Sequence, residues 1–192
     1  LFKRKQTIQI ITVSKFVSWK NIDIVLNALA LLPSHIKWEY NIIGDGQEKE
    51  NLKNLVHTLR ITDKVNFTGW LEKKQVDDYL LNSDIFILVS NPETFGLVYL
   101  EALAKGCIVI GTSGTGIDGI IENEKNGYLV APSRVKKLSD IIQSIASQAR
   151  KDELLTLYKN MHQTIIQMSQ KEQANKYMKE IREVVRNSSQ AF

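Results

Sequence analysis

The chain has 192 residues, 43% hydrophobic and 24% charged, enough for one α/β domain with a real core and short for two. Its net charge of +4 suits an anionic ligand or a membrane surface, but the basic residues are scattered among acids with no run of five, which argues against nucleic acid as a partner. No apolar stretch approaches the roughly 20 residues that span a bilayer, and the single cysteine, Cys107, excludes an intrachain disulfide and fits a reducing compartment.

The opening Leu1-Phe2-Lys3-Arg4-Lys5 is followed by Gln6-Thr7, not by the apolar core of a signal peptide. It has no initiator methionine, so the chain is expected to be a fragment of a longer protein. Ile8 to Val13 then reads as a strand, and Ile22, Val25, Leu26 and Leu29 share one helical face. Trp38 to Ile43 is a second strand, ended by Gly44-Asp45-Gly46. Leu52, Leu55, Val56 and Leu59 mark the next helix. Val65 to Phe67 is a short strand before Gly69, and Val76 to Leu81 is helical.

Ile85 to Val89 is apolar without alternation, as expected of a strand covered on both faces of a parallel sheet. A helix follows from about Leu97 to Lys105, with Gly106 as its stop. Ile108 to Ile110 and Tyr128 to Val130 are the last strands, the second entered through an Asn126-Gly127 turn. The rest, about 134–186, is a helical tail. Val135, Leu138, Ile141, Ile142 and Ile145 form one stripe, and Leu154, Tyr158, Met161 and Ile165 another. Ser169-Gln170-Lys171-Glu172 is a capping-box pattern opening a last helix.

Strand–helix alternation over the first 130 residues predicts a doubly wound parallel α/β sheet, Rossmann-like, with helices on both faces. Ligands of such sheets bind outside the carboxyl ends of the strands. That directs attention to residues 14–21, 44–46, 68–72, 90–96 and 111–119.

Segment 90–96 reads Ser90-Asn91-Pro92-Glu93-Thr94-Phe95-Gly96. Gly96 lets backbone pass close to a ligand, and the helix starting there offers free N–H groups and a positive dipole end to an anion. Glu93 precedes that helix and Glu101 lies about one and a half turns inside it. Both are candidates to accept hydrogen bonds from sugar hydroxyls. Alternatively, Glu93 is a cap and Glu101 a solvated or paired acid, although the small apolar neighbours of Glu101 demand a partner for a lone carboxylate. Lys15 and Lys20 follow the first strand and can neutralise a diphosphate, or be ordinary surface lysines. The glycine-rich run Gly111 to Gly119 permits close approach to a ligand but lacks the lysine and serine of a P-loop.

Together these segments resemble the carboxyl-terminal donor-binding domain of GT-B glycosyltransferases of family 4 (glycosyl transferases group 1), from about Ile8 to Pro132. Glu93-x7-Glu101 is similar to the family's EX7E motif, Gly44-Asp45-Gly46 to its GDG turn, Phe67-Thr68-Gly69 to the segment beside the nucleobase, and Asn126-Gly127-Tyr128-Leu129-Val130 to its NG-x-LV strand. The resemblance implies that Glu93 contacts the donor sugar and Glu101 the ribose. Backbone around Thr94, Phe95, Gly96 and Leu97 would seat the diphosphate or sugar, Lys15 and Lys20 the diphosphate, and Gly69 would lie beside the base. It implies sugar transfer with retention, no required metal and no cofactor besides the nucleotide-sugar substrate. It also implies a separate amino-terminal acceptor domain, a glycan or glycolipid acceptor, and a cytoplasmic enzyme in contact with the inner membrane. The run Gly116-Ile117-Asp118-Gly119-Ile120-Ile121 looks like members that build capsule or O-antigen.

Four positions depart from the pattern. Lys15 stands for arginine, Asn21 for glycine, Thr115 for one of the paired glycines, and Gly119 for an acid. Lys15 and Gly119 motivate the rival reading of a non-catalytic nucleotide-sugar-binding or scaffold domain. A sugar-nucleotide epimerase of the same two-domain fold is a further alternative, against which the Glu93–Glu101 spacing argues. His35, His57 and His162 lack ligand spacing, so no metal site is expected, and Cys107 reads as a small core residue. Trp70 either flanks a base or packs, and Trp19 either covers the site or meets another domain.

Overall fold

The computed structural model describes residues 7–93, 96–131, 133–147 and 151–169. Within them the strands are β1 (Ile8–Val13), β2 (Trp38–Ile43), β3 (Val65–Gly69), β4 (Ile85–Ile87), β5 (Ile108–Thr112) and β6 (Tyr128–Val130). The helices are α1 (Ile22–Ala30), α2 (Lys49–Thr58), α3 (Lys73–Leu81), α4 (Leu97–Ala104), α5 (Val135–Ala146) and α6 (Lys151–Gln167). The predicted last helix, 170–186, lies outside the described residues.

All strand pairs are parallel, in the order β3-β2-β1-β4-β5-β6. The chain winds outward from β1 to β3, then returns to the other side of β1 to lay down β4. The segments that follow β1 and β4 therefore diverge at the sheet's switch point, where a crevice opens.

Burial explains why the middle of the sheet is so apolar. Ile10, Ile11, Tyr40, Ile42, Phe86, Val109 and Ile110 have no exposed surface, with helices on both sheet faces. Each large side chain so buried contributes about 1.5–3 kcal/mol. The Tyr40 phenol sits in this core against Thr12 Oγ1 at 2.7 Å, and burial holds its pKa far above the usual range.

Three strand ends differ from the sequence reading: β3 runs past Phe67 to Gly69, where Gly69 pairs with Ile43 of β2, and β4 and β5 differ as follows. β4 stops at Ile87, although Leu88 and Val89 are equally buried. Side chains take over the carbonyls there: Tyr99 Oη donates to Leu88 O at 2.6 Å and Asn21 Nδ2 to Val89 O at 2.8 Å. β5 runs on to Thr112 because Gly111 and Thr112 pair with Leu129 and Val130.

The tail helix α6 lies against α4. It buries Leu157 and Met161, while Tyr158 and Ile165 of the expected stripe are half-buried against the core. Asn126, at the turn before β6, fixes it: Nδ2 donates to Thr164 Oγ1 at 2.7 Å and to Ile120 O at 2.8 Å, and Oδ1 accepts Glu122 N–H at 2.7 Å. No described helix is long and apolar enough to cross a membrane.

Candidate functional site

The segment after β1 is clasped by the Gly44–Gly46 turn. Phe16 N–H donates to Asp45 O at 2.9 Å and Glu48 N–H to Phe16 O at 3.1 Å. A Cβ on Gly44 would lie 1.9 Å from Ser14 O, so only glycine permits this approach. The turn thus holds in place the backbone that carries Lys15. The Lys15 side chain is exposed and makes no ion pair among the described residues.

Residues Ser18–Lys20 then form a 3-10 turn, and Asn21 caps α1 with φ of 52°. That left-handed conformation accounts for the departure from glycine noted above. Asparagine tolerates it better than other side-chain-bearing residues, and here its carboxamide also reaches Val89 across the crevice. A second bond, Asn91 N–H to Trp19 O at 2.8 Å, laces the same two segments together.

Glu93 is where three segments meet. Its Oε2 accepts Lys20 Nζ–H at 2.7 Å and Ser90 Oγ–H at 2.7 Å, and its carbonyl accepts Gly116 N–H at 3.2 Å. The Glu93 side chain is only 9% exposed and that of Lys20 19%, so the pair is shielded enough for charge to matter. The Glu93 carboxylate thus meets side chains from two segments of the crevice.

Gly96 follows, at φ of 62°, as the N-cap of α4. A Cβ there would lie 2.6 Å from the Tyr99 ring and 3.4 Å from the Glu93 carboxyl carbon. Glycine thus lets the Glu93 carboxylate and the Tyr99 ring share one small space. The Tyr99 phenol is pushed above its usual pKa range by burial, and the Glu93 charge adds to that shift. Leu97 is two-thirds exposed, and Thr94 and Phe95 lie outside the described residues.

Glu101 stands apart from this cluster. Its side chain is 36% exposed, and Oε2 lies 3.3 Å from Lys73 Nζ of α3. The partner demanded by its apolar neighbours is thus a lysine on another helix. Asp77 and, behind it, Glu101 raise the Lys73 ammonium above its usual range. Gly69 ends β3 at φ of 77°, its carbonyl accepting Gly44 N–H at 2.9 Å. Trp70 beyond it is 75% exposed and Trp19 47%, so neither is a core residue.

Of the residues singled out by sequence, Lys20, Glu93 and Gly96 form one contact cluster. Lys15 and Gly69 share the same sheet edge without touching it, and Glu101 is held separately. Ser90, Tyr99 and Lys73 escaped sequence reasoning. The one available signal was a serine three positions before Glu93. A cavity of about 290 Å³ behind the 14–21 segment includes none of Lys20, Glu93 and Glu101. Among the described residues, no three His, Cys, Asp or Glu side chains are grouped to hold a metal ion.

The family of glycosyl transferases group 1 matches residues 1–168. The chain belongs to that family. Among relatives, the N-acetyl-alpha-D-glucosaminyl L-malate synthase of Bacillus anthracis is 30% identical over 175 residues, which are 82% of this chain and 45% of that protein. The lipopolysaccharide core biosynthesis glycosyltransferase LpsE of Rhizobium meliloti is 28% identical over 138 residues, 72% of this chain and 39% of that protein. The crystal structure of Anabaena Alr3699/HepE in complex with UDP and glucose superposes with a TM-score of 0.79, covering 93% of this chain and 49% of that one at 23% identity. That identity speaks for the fold, a Rossmann-like parallel sheet of the kind found in GT-B glycosyltransferases. The group 1 chain described here spans less than half the length of the relatives it matches.

Proposed function

We propose that this chain is the donor-binding domain of a retaining glycosyltransferase that takes a UDP-sugar and contributes to a bacterial surface polysaccharide or lipid-linked oligosaccharide. The observation that carries the reading is the Lys20–Glu93–Ser90 cluster at the sheet's switch point, with Gly96 and the α4 start beside it. A lysine and a helix start favour an anionic group there, and a fixed carboxylate accepts hydroxyl protons. The UDP complex of the Anabaena protein and the polysaccharide relatives support the ligand class and the setting.

In this reading Lys15 and Lys20 neutralise the diphosphate, along with backbone at Thr94, Phe95, Gly96 and Leu97. Glu93 orients the hexose or N-acetylhexosamine, Glu101 takes the ribose hydroxyls, and Gly69 borders the base. The bond from the anomeric carbon to the phosphate oxygen breaks, and an acceptor hydroxyl bonds to the same face. Charge developing on the departing UDP falls to the lysines and the helix start. The resemblance implies no metal requirement. The acceptor, a glycan or glycolipid, belongs to an amino-terminal domain, and the full-length enzyme works in the cytoplasm at the inner membrane's cytoplasmic face.

Calorimetry with UDP tests this. Binding is expected, weakened by about 10-fold or more in Glu101→Ala and in Lys15→Ala/Lys20→Ala, in line with charge-assisted hydrogen bonds of about 1.5–3 kcal/mol. No binding of UDP, GDP or ADP would sink the reading.

A further inference from the structure

Glu93 Oε2 carries two hydrogen bonds whose donors differ in kind. Lys20 reaches it on a long flexible stem and carries a charge that a diphosphate also attracts. Ser90 reaches it at 2.7 Å from a fully buried position on a short side chain. The backbone under Ser90 is pinned on both sides: Leu88 O by Tyr99, Val89 O by Asn21, and Asn91 N–H by Trp19 O. Ser90 can therefore move very little, while Lys20 can turn.

We propose that Ser90 is a positioning residue that keeps the Glu93 carboxylate aimed at the donor sugar once Lys20 turns to the diphosphate. This rests on the donor-site reading above. Without ligand, both donors restrain Glu93. With a diphosphate bound, Lys20 divides its protons between phosphate and carboxylate, and Ser90 becomes the fixed anchor. The sugar part of the ligand then depends on Ser90, and the nucleotide part does not. A hydroxyl that only satisfied a buried neighbour would affect stability, or both parts alike.

Ser90→Ala and Ser90→Cys separate these roles, since cysteine nearly keeps the side-chain volume and donates only weakly. Calorimetry would compare UDP with UDP-glucose and UDP-N-acetylglucosamine on this chain and both variants. UDP affinity is expected to stay within about twofold. The ratio of UDP-sugar to UDP affinity, for the tighter of the two sugars, is expected to fall about tenfold in both variants. An unchanged ratio, or equal losses on UDP and UDP-sugar, overturns the inference while leaving the donor site standing. An unmodified chain that binds no UDP overturns the donor-site reading, and this inference with it.

Discussion

At Gly96, backbone conformation and packing make the same demand. Its φ of 62° costs a residue with a side chain about 1–2 kcal/mol, and an added methyl would meet the Tyr99 ring at 2.6 Å. Overpacking of that kind costs about 1–3 kcal/mol. Gly96→Ala should therefore destabilise the chain by roughly 2–4 kcal/mol and lower Tm by roughly 5–10 °C, measured by thermal unfolding. The Tyr99 ring that must give way lies beside the Glu93 carboxylate, so UDP-sugar affinity should fall further than the loss of folded protein explains. Asn21 meets a similar backbone demand differently, accepting the left-handed conformation and adding a hydrogen bond to Val89 O. Cys107 illustrates the opposite case of a reactive group made quiet. Burial pushes its thiol up to about 12, and it donates to Leu80 O at 3.2 Å, as suits the core role expected of it.

Among the elements, legibility follows the kind of force that sets each boundary. β1, β2 and β6 begin and end where the sequence places them, because their mostly apolar residues and flanking turns mark both limits. β4 is shorter than its apolar run because Asn21 and Tyr99, far off in sequence, claim its last carbonyls. Periodicity carries no trace of such competition. For the same reason Glu93 and Glu101 were visible as motif positions, but Lys73, on a different helix from Glu101, was not visible as a partner. Ser90 was in plain view, yet a serine in a loop has no periodic signature. The Asn126-Gly127 turn is similar: sequence marks the turn, but only the fold shows Asn126 tying α6 to the β5–β6 connection. Asn126 is 2% exposed, with its carboxamide bonded on both sides. Asn126→Ala removes three part-buried hydrogen bonds and should cost about 2–3 kcal/mol. Hydrogen exchange should show α6 amides opening faster while those of α1 change little. Equal acceleration in both helices would mean that Asn126 serves the whole core and not the docking of one element.

For the whole molecule, binding and transfer make different demands. Every candidate donor contact lies on loops of one sheet edge or on the helix that starts there, so donor binding is within reach of a single sheet. Transfer needs more: an acceptor hydroxyl held in line with the anomeric carbon, with water kept out. Holding two reactants in register is worth effective molarities of about 10⁵–10⁸ M, and a site lacking one of them forgoes that factor. The relatives that this chain matches are more than twice as long as the segment it shares with them. In the proposed reading the lysines and carboxylates serve the donor. The expected outcome is binding without transfer. In a UDP-release assay with UDP-glucose or UDP-N-acetylglucosamine and glycan or glycolipid acceptors, these 192 residues should release UDP no faster than slow hydrolysis does, under conditions where calorimetry shows the donor bound. Acceptor-dependent UDP release would place the acceptor site within this chain, and the division of labour argued here would have to be abandoned.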